Sequence, residues 1–217
     1  MGSHCRNCQG ITDQKASHVP GNRYLIGLTG NIATGKSAVA QMLAELGART
    51  VDADRVAHDV MRHGTPTWQA VIDAFSPAIL APDGEIDRRR LGEIVFADPE
   101  ALRRLEAIVH PATVQAVAVE IAEATERVVV VEAIKLIEAG MYRSYHALWV
   151  TTCAPETQIA RLTALRGLSE AEARLRVEAQ PPQAEKVALA DVVIDTGGTL
   201  KDTRRQVLAA WEAIPPI

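Results

Sequence analysis

The sequence predicts an α/β fold with a parallel sheet, on three observations. Short apolar, β-branched runs alternate with segments whose apolar residues recur at helical spacing, the order produced by strands joined through helical crossovers. One run, residues 128–131, is four consecutive valines, as expected of a strand covered by helices on both faces. The 217 residues, 47% hydrophobic and 23% charged, match one domain with sizeable insertions and a buried core. Only 4% is aromatic, so that core must rest on Ala, Val, Leu and Ile.

Residues 24–28 form an apolar run ending in Thr29-Gly30, a buried strand entering a turn. Over 36–46, Val39, Met42, Leu43 and Leu46 fall at helical spacing, and Gly47 supplies the stop. Residues 49–51 read as a second strand that delivers Asp52-Ala53-Asp54 at its end. Helices are expected over 55–61 and 68–75, separated by Gly64-Thr65-Pro66, with a Pro- and Gly-punctuated loop over 76–85. Another helix covers 88–96. Asp98-Pro99 then opens a long one, since Asp caps well and Pro suits the first turn; His110-Pro111 is expected to kink or split it. Strands follow at 128–131, 147–151 and 192–194, and helices at 155–165, 169–179 and 200–213.

Twenty-three Lys and Arg against twenty-seven Asp and Glu give a net charge of −4, which argues against nucleic-acid or membrane-surface partners. No uninterrupted apolar run approaches the ~18–20 residues that cross a bilayer. Three cysteines, Cys5, Cys8 and Cys153, are too few for a disulfide framework, so a reducing, cytoplasmic setting is expected. Cys5 and Cys8 make one Cys-x-x-Cys with no second pair to complete a four-ligand zinc site. Residues 1–22 show neither helical periodicity nor the apolar run of a secretory signal, and read as a disordered extension or a tag.

Gly30-Asn31-Ile32-Ala33-Thr34-Gly35-Lys36-Ser37 matches G-x-x-x-x-G-K-S/T, the P-loop, with a strand before it and a helix after it. Gly30 and Gly35 permit backbone angles that turn successive N–H groups into one anion-sized cavity. The helix beginning near Lys36 adds its positive end. The expected ATP site is therefore Gly30, Asn31, Ile32, Ala33, Thr34, Gly35, Lys36, Ser37 and Ala38, with Lys36 on the β/γ-phosphates and the Ser37 hydroxyl on Mg²⁺. No N-K-x-D guanine-reading motif is present, and neither is a long helical arm or a second nucleotide-binding half. A small-molecule kinase fits better than a GTPase, motor or transporter. Strand ends of a parallel sheet share one ligand-binding edge, so Asp52, Asp54 and Glu132 are expected near the loop. Asp52 and Glu132 are candidates to orient Mg²⁺-bound water, with helix capping the competing role for either aspartate.

The chain resembles the dephospho-CoA kinase family from residue 24 to about 213. The resemblance rests on Ile26-Gly27-Leu28-Thr29-Gly30, Leu46-Gly47, Val51-Asp52-Ala53-Asp54, Ala57-His58, Gly84-Glu85-Ile86-Asp87-Arg88 and His110-Pro111. It continues in Pro155-Glu156-Thr157-Gln158, Arg161-Leu162, Arg176, Ala179-Gln180, Ala190-Asp191 and Val193-Ile194-Asp195. It implies a nucleoside-monophosphate-kinase-like P-loop core over 23–217 with a helical acceptor-binding insertion at about 55–125 and a lid at about 157–182. The activity implied is Mg²⁺- and ATP-dependent phosphorylation of the ribose 3′-hydroxyl of dephospho-CoA. Two alternatives stay open: a P-loop kinase for another small alcohol or nucleotide, and an inactive nucleotide-binding switch. Oligomeric state is left open as well.

By that resemblance Asp54 matches the general base and Arg88 a clamp on the acceptor's diphosphate. Arg88, Arg89 and Arg90 fan over ~200–300° of a helix, so at most two face one ligand. Arg176 matches the family's Arg-x-x-x-Gln in the lid. The family's other lid arginine falls on Leu165, leaving its neighbour Arg166 as the candidate. His110 is either a kink-stabilising or a substrate-binding histidine. Ile134 and Lys135 replace the family's usual Pro and Leu beside the acceptor pocket.

Overall fold

The computed structural model describes residues 23–216; the extension at 1–22, with Cys5 and Cys8, lies outside the described residues. The chain divides into two compact units, one running up to Thr50 and resuming at Thr125, the other Val51–Ala124.

The sheet has five strands, β1 (Tyr24–Thr29), β2 (Arg49–Asp52), β3 (Val128–Glu132), β4 (Ala147–Thr152) and β5 (Val192–Asp195), in the order β2-β3-β1-β4-β5, all in the first unit but for the last two residues of β2. β1 runs parallel to β3, with Leu28 opposite Glu132, and parallel to β4, with Thr29 opposite Val150. β4 and β5 are parallel too, Thr152 opposite Asp195. The four valines of β3 are all buried, as a strand covered on both faces requires. β5 is an edge strand and buries Ile194 alone. Helices α1 (Lys36–Glu45) and α9 (Leu200–Glu212) pack together. Val39, Leu43 and Val207 join Ile26, Leu28, Val130 and Trp149 in one apolar cluster.

At the amino-terminal edge of the sheet, the Leu25 N–H donates to His146 Nδ1 at 2.9 Å, and the His146 ring stacks on Tyr24. This bond needs a neutral imidazole with its proton on Nε2. Burial holds the His146 pKa below its ordinary 6.5. The folded state thus binds its proton less readily than the unfolded state, and this contribution to stability is present above pH 6.5 and lost as pH falls through the depressed value. Thermal unfolding measured from pH 7.5 to 5 is expected to show a steeper loss for the wild type than for His146→Phe.

In the second unit, α2 (Ala53–Asp59), α3 (Pro66–Phe75) and α4 (Arg88–Ala97) pack on the 25-residue α5 (Pro99–Glu123). Val71, Phe75, Ile79, Leu91 and Val95 form the core between them. Two helices start earlier than apolar spacing predicts, because caps set the start: Asp52 Oδ1 accepts from Arg55 N, and Thr65 Oγ1 accepts from Trp68 N. Nor is α5 split at Pro111; it runs unbroken through it. The interior proline costs about 3 kcal/mol, but both halves are anchored. Ile108 and Val109 pack on the core before it, and Thr113, Val117 and Ile121 are buried after it. By length and composition α5 could also cross a bilayer, but charged residues interrupt it and its buried residues serve the helical unit.

Three helices complete the first unit: α6 (Pro155–Arg166), α7 (Glu170–Glu178) and α8 (Gln183–Val187). The last was not legible, since five residues are too few to display a 3.6-residue period.

Candidate active site

The loop between β1 and α1 is shaped by close packing before any ligand arrives. A Cβ on Gly30 would sit 2.6 Å from the Thr151 carbonyl oxygen, so only glycine fits. Gly35 holds the left-handed conformation, φ 83°, at the N-cap of α1. It caps with no side chain, and no acidic residue stands in the first turn, so the positive end of α1 is left for an anion. Thr34 is buried; its Oγ1 hydrogen-bonds to Asn31 O and to Thr151 Oγ1, both at 2.8 Å. Thr196, just past β5, donates from Oγ1 to Thr34 O at 2.8 Å. Lys36 Nζ lies 3.3 Å from Gly30 O, bent back along its own loop. Ser37 is exposed and Ala38 half-buried in the first turn of α1.

The loop's outer residues are held from α6 and from the chain after α7. Gln158, 1% exposed, donates from Nε2 to Ile32 O at 2.8 Å. Arg161 donates to Ala33 O at 3.1 Å and to Thr196 Oγ1 at 3.0 Å. Ala33 itself is left-handed at φ 58°, a conformation that persists only when its surroundings enforce it. Gln180 Oε1 accepts from Ile32 N at 2.7 Å, and Asn31 Nδ2 donates to Pro181 O at 2.9 Å. None of these roles was read from the sequence, although Gln158 and Arg161 share a helix face with buried Leu162. Polar side chains on a buried stripe are the signal that was available.

The arginine touching the loop is therefore Arg161, whereas Arg166 is exposed at the last residue of α6. Five residues on, it points about 140° around the helix from Arg161. Arg176 is exposed near the end of α7. Cys153 is buried, its Sγ 3.7 Å from Arg161; burial pushes its thiol pKa up, against the pull of that guanidinium. Glu132 closes β3 half-buried, and the next residue, Ala133, donates its N–H to Leu28 O, two residues before Gly30. Beyond it, the Ile134 carbonyl accepts from Thr29 Oγ1 at 3.2 Å and from Lys186 Nζ at 3.0 Å. Lys186 is 5% exposed and also pairs with Glu138 at 2.8 Å.

In the helical unit, Asp52 ends β2 and caps α2, which commits one of its oxygens. Asp54 is exposed in the first turn of α2. The three arginines divide their labour. Arg89 pairs with Glu93, and Arg90 with Asp87 and the carbonyls of Ala78 and Leu80. Arg88 is exposed and, among the described residues, its side chain makes no hydrogen bond or ion pair. His110 is exposed on α5, so it does not stabilise the proline by burial.

The family model for dephospho-CoA kinase matches residues 24–202. The chain belongs to the dephospho-CoA kinase family. A dephospho-CoA kinase of Geobacter metallireducens is 47% identical over 191 residues, 87% of this chain and 95% of that one. Among solved structures, a Thermus thermophilus protein superposes with a TM-score of 0.80 at 32% identity, covering 90% of this chain and all of that one. The dephospho-CoA kinase from Campylobacter jejuni gives a TM-score of 0.64 at 25% identity over 87% of this chain and 95% of its own. The stretch that matches the dephospho-CoA kinase family takes in the phosphate loop and every side chain described around it.

Proposed function

We infer that the chain transfers the γ-phosphoryl group of ATP to the ribose 3′-hydroxyl of dephospho-CoA, giving coenzyme A and ADP. One observation carries the reading: an uncapped helix end and a glycine-shaped loop with Lys36 beside it, within a dephospho-CoA kinase family chain. Backbone N–H groups and the α1 terminus hold the phosphates, and the Lys36 ammonium offsets charge on the β/γ oxygens. Asp54 orients the 3′-hydroxyl and takes its proton as the new P–O bond forms. In a loose transition state that proton leaves late, so an ordinary carboxylate suffices. Arg88 is the guanidinium left for the acceptor's diphosphate, and His110 is a further acceptor-binding group on the helical unit. Arg176 and Arg166 supply positive charge to the departing phosphate from a lid at about 157–182, with acceptor binding at about 55–125.

Mg²⁺ suits the donor set. Among the described residues no three His, Cys, Asp or Glu cluster as a metal cage. Mg²⁺ in phosphate-transfer sites needs only one or two protein oxygens, with phosphate and water completing its shell. The Ser37 hydroxyl would hold it, with Glu132 and the uncommitted oxygen of Asp52 acting on its waters. The ion, when bound, screens charge on the β- and γ-phosphates. Both substrates are small molecules, and the setting is cytoplasmic, with neither nucleic acid nor membrane as partner.

ATP consumption measured with dephospho-CoA, adenosine, AMP and no acceptor tests this. Stimulation by dephospho-CoA alone is expected; preference for another acceptor, or nucleotide binding without transfer, would overturn it. Arg176→Lys keeps the charge and loses the planar fork, so kcat is expected to fall about tenfold with KM for ATP changed less than threefold.

A further inference from the structure

Three consecutive loop residues, Asn31, Ile32 and Ala33, are tied to the stretch from α6 to the start of α8. Two ties, from Gln158 and Arg161, come from α6, which is rooted in the core by Leu162 at 1% exposure. The others, from Gln180 and Pro181, come from just past α7. They matter more to their helix. Of the nine residues of α7 only Ala173 is buried, Leu175 is 67% exposed, and its helical neighbour is α6. Apolar burial therefore does little to fix where α7 ends. The helix winds on through Ala179 N to Leu175 O and Gln180 N to Val177 O, so Gln180 stands one turn beyond Arg176.

We propose that Gln180 is a positioning residue for phosphoryl transfer: through the Ile32 N–H it fixes the end of α7 on the phosphate loop and so sets where Arg176 stands. The inference rests on the role given to Arg176 above. A carboxamide suits the task. Its oxygen satisfies a loop N–H at 2.7 Å without setting a negative charge beside the triphosphate, as a carboxylate of equal length would. The second tie, Asn31 Nδ2 to Pro181 O, holds the adjacent residue and limits the play left to the first.

A double-mutant cycle in the full-length enzyme tests it, with thermal unfolding run on each variant. Gln180→Leu is expected to lower kcat about tenfold with KM for ATP within about threefold, and Arg176→Ala to lower kcat about fiftyfold. The double variant should be no more than about twofold slower than Arg176→Ala, because the effect of Gln180 runs through that arginine. Gln180→Glu restores the acceptor and should recover most of kcat at saturating ATP while raising KM. Multiplying losses, a loss confined to KM, or failure of Gln180→Glu to recover kcat would each overturn the role of Gln180 while leaving that of Arg176 intact. A fully active Arg176→Ala would instead remove the arginine's role and the proposal with it.

Discussion

Lys36→Met is expected to lower kcat/KM by about a thousandfold, the upper range for deleting one charge-stabilising donor. Methionine keeps most of the length of the side chain and loses the ammonium. The first turn of α1 is held by its own backbone and by Val39, which is fully buried, so the fold should survive. Nothing else on the loop supplies a cation in the same way: the Arg161 guanidinium is spent on the carbonyls of Ala33 and Thr196. A coupled assay for ADP release measures the loss, and ATP-induced thermal stabilisation should shrink alongside it. Activity within tenfold of wild type would show that backbone amides and Mg²⁺ suffice.

Asp54→Asn is expected to reduce kcat by about 10²–10⁴-fold, the range for removing a proton acceptor, with ATP affinity changed less than threefold. The variant separates chemistry from folding, because Asp54 is exposed and the cap of its helix belongs to Asp52. Asp52→Asn is the matching control. Asparagine caps as well as aspartate, so that variant keeps the Arg55 N–H satisfied while losing charge. Stability should therefore stay near normal, while turnover falls by less than in Asp54→Asn through the lost charge beside the Mg²⁺-bound waters. Near-normal turnover in Asp54→Asn would end the base assignment.

Readable features were those set by neighbours in the chain. The phosphate loop announces itself because two glycines, a lysine and a serine dictate backbone shape within eight residues. The four valines of β3 say as much about burial on both faces. What escaped was set at a distance. Gln180 meets Ile32 across 148 positions, and Arg161 meets Ala33 across 128, so no local pattern flags either. Pro111 misled in the opposite sense: the local rule against an interior proline was outweighed by packing on both sides of it. Division of the three arginines depended on Glu93, Asp87 and two carbonyls, and only the folded helix shows which one is left over.

Thr29 and Lys186 both grasp position 134 by its peptide oxygen, a group that every amino acid brings, proline included. A ring or a branched chain at that position leaves the same oxygen in place, so the isoleucine here does not unfasten that stretch from the sheet. Loss of the buried lysine would take away one of the two donors and leave Glu138 without the ammonium it pairs with.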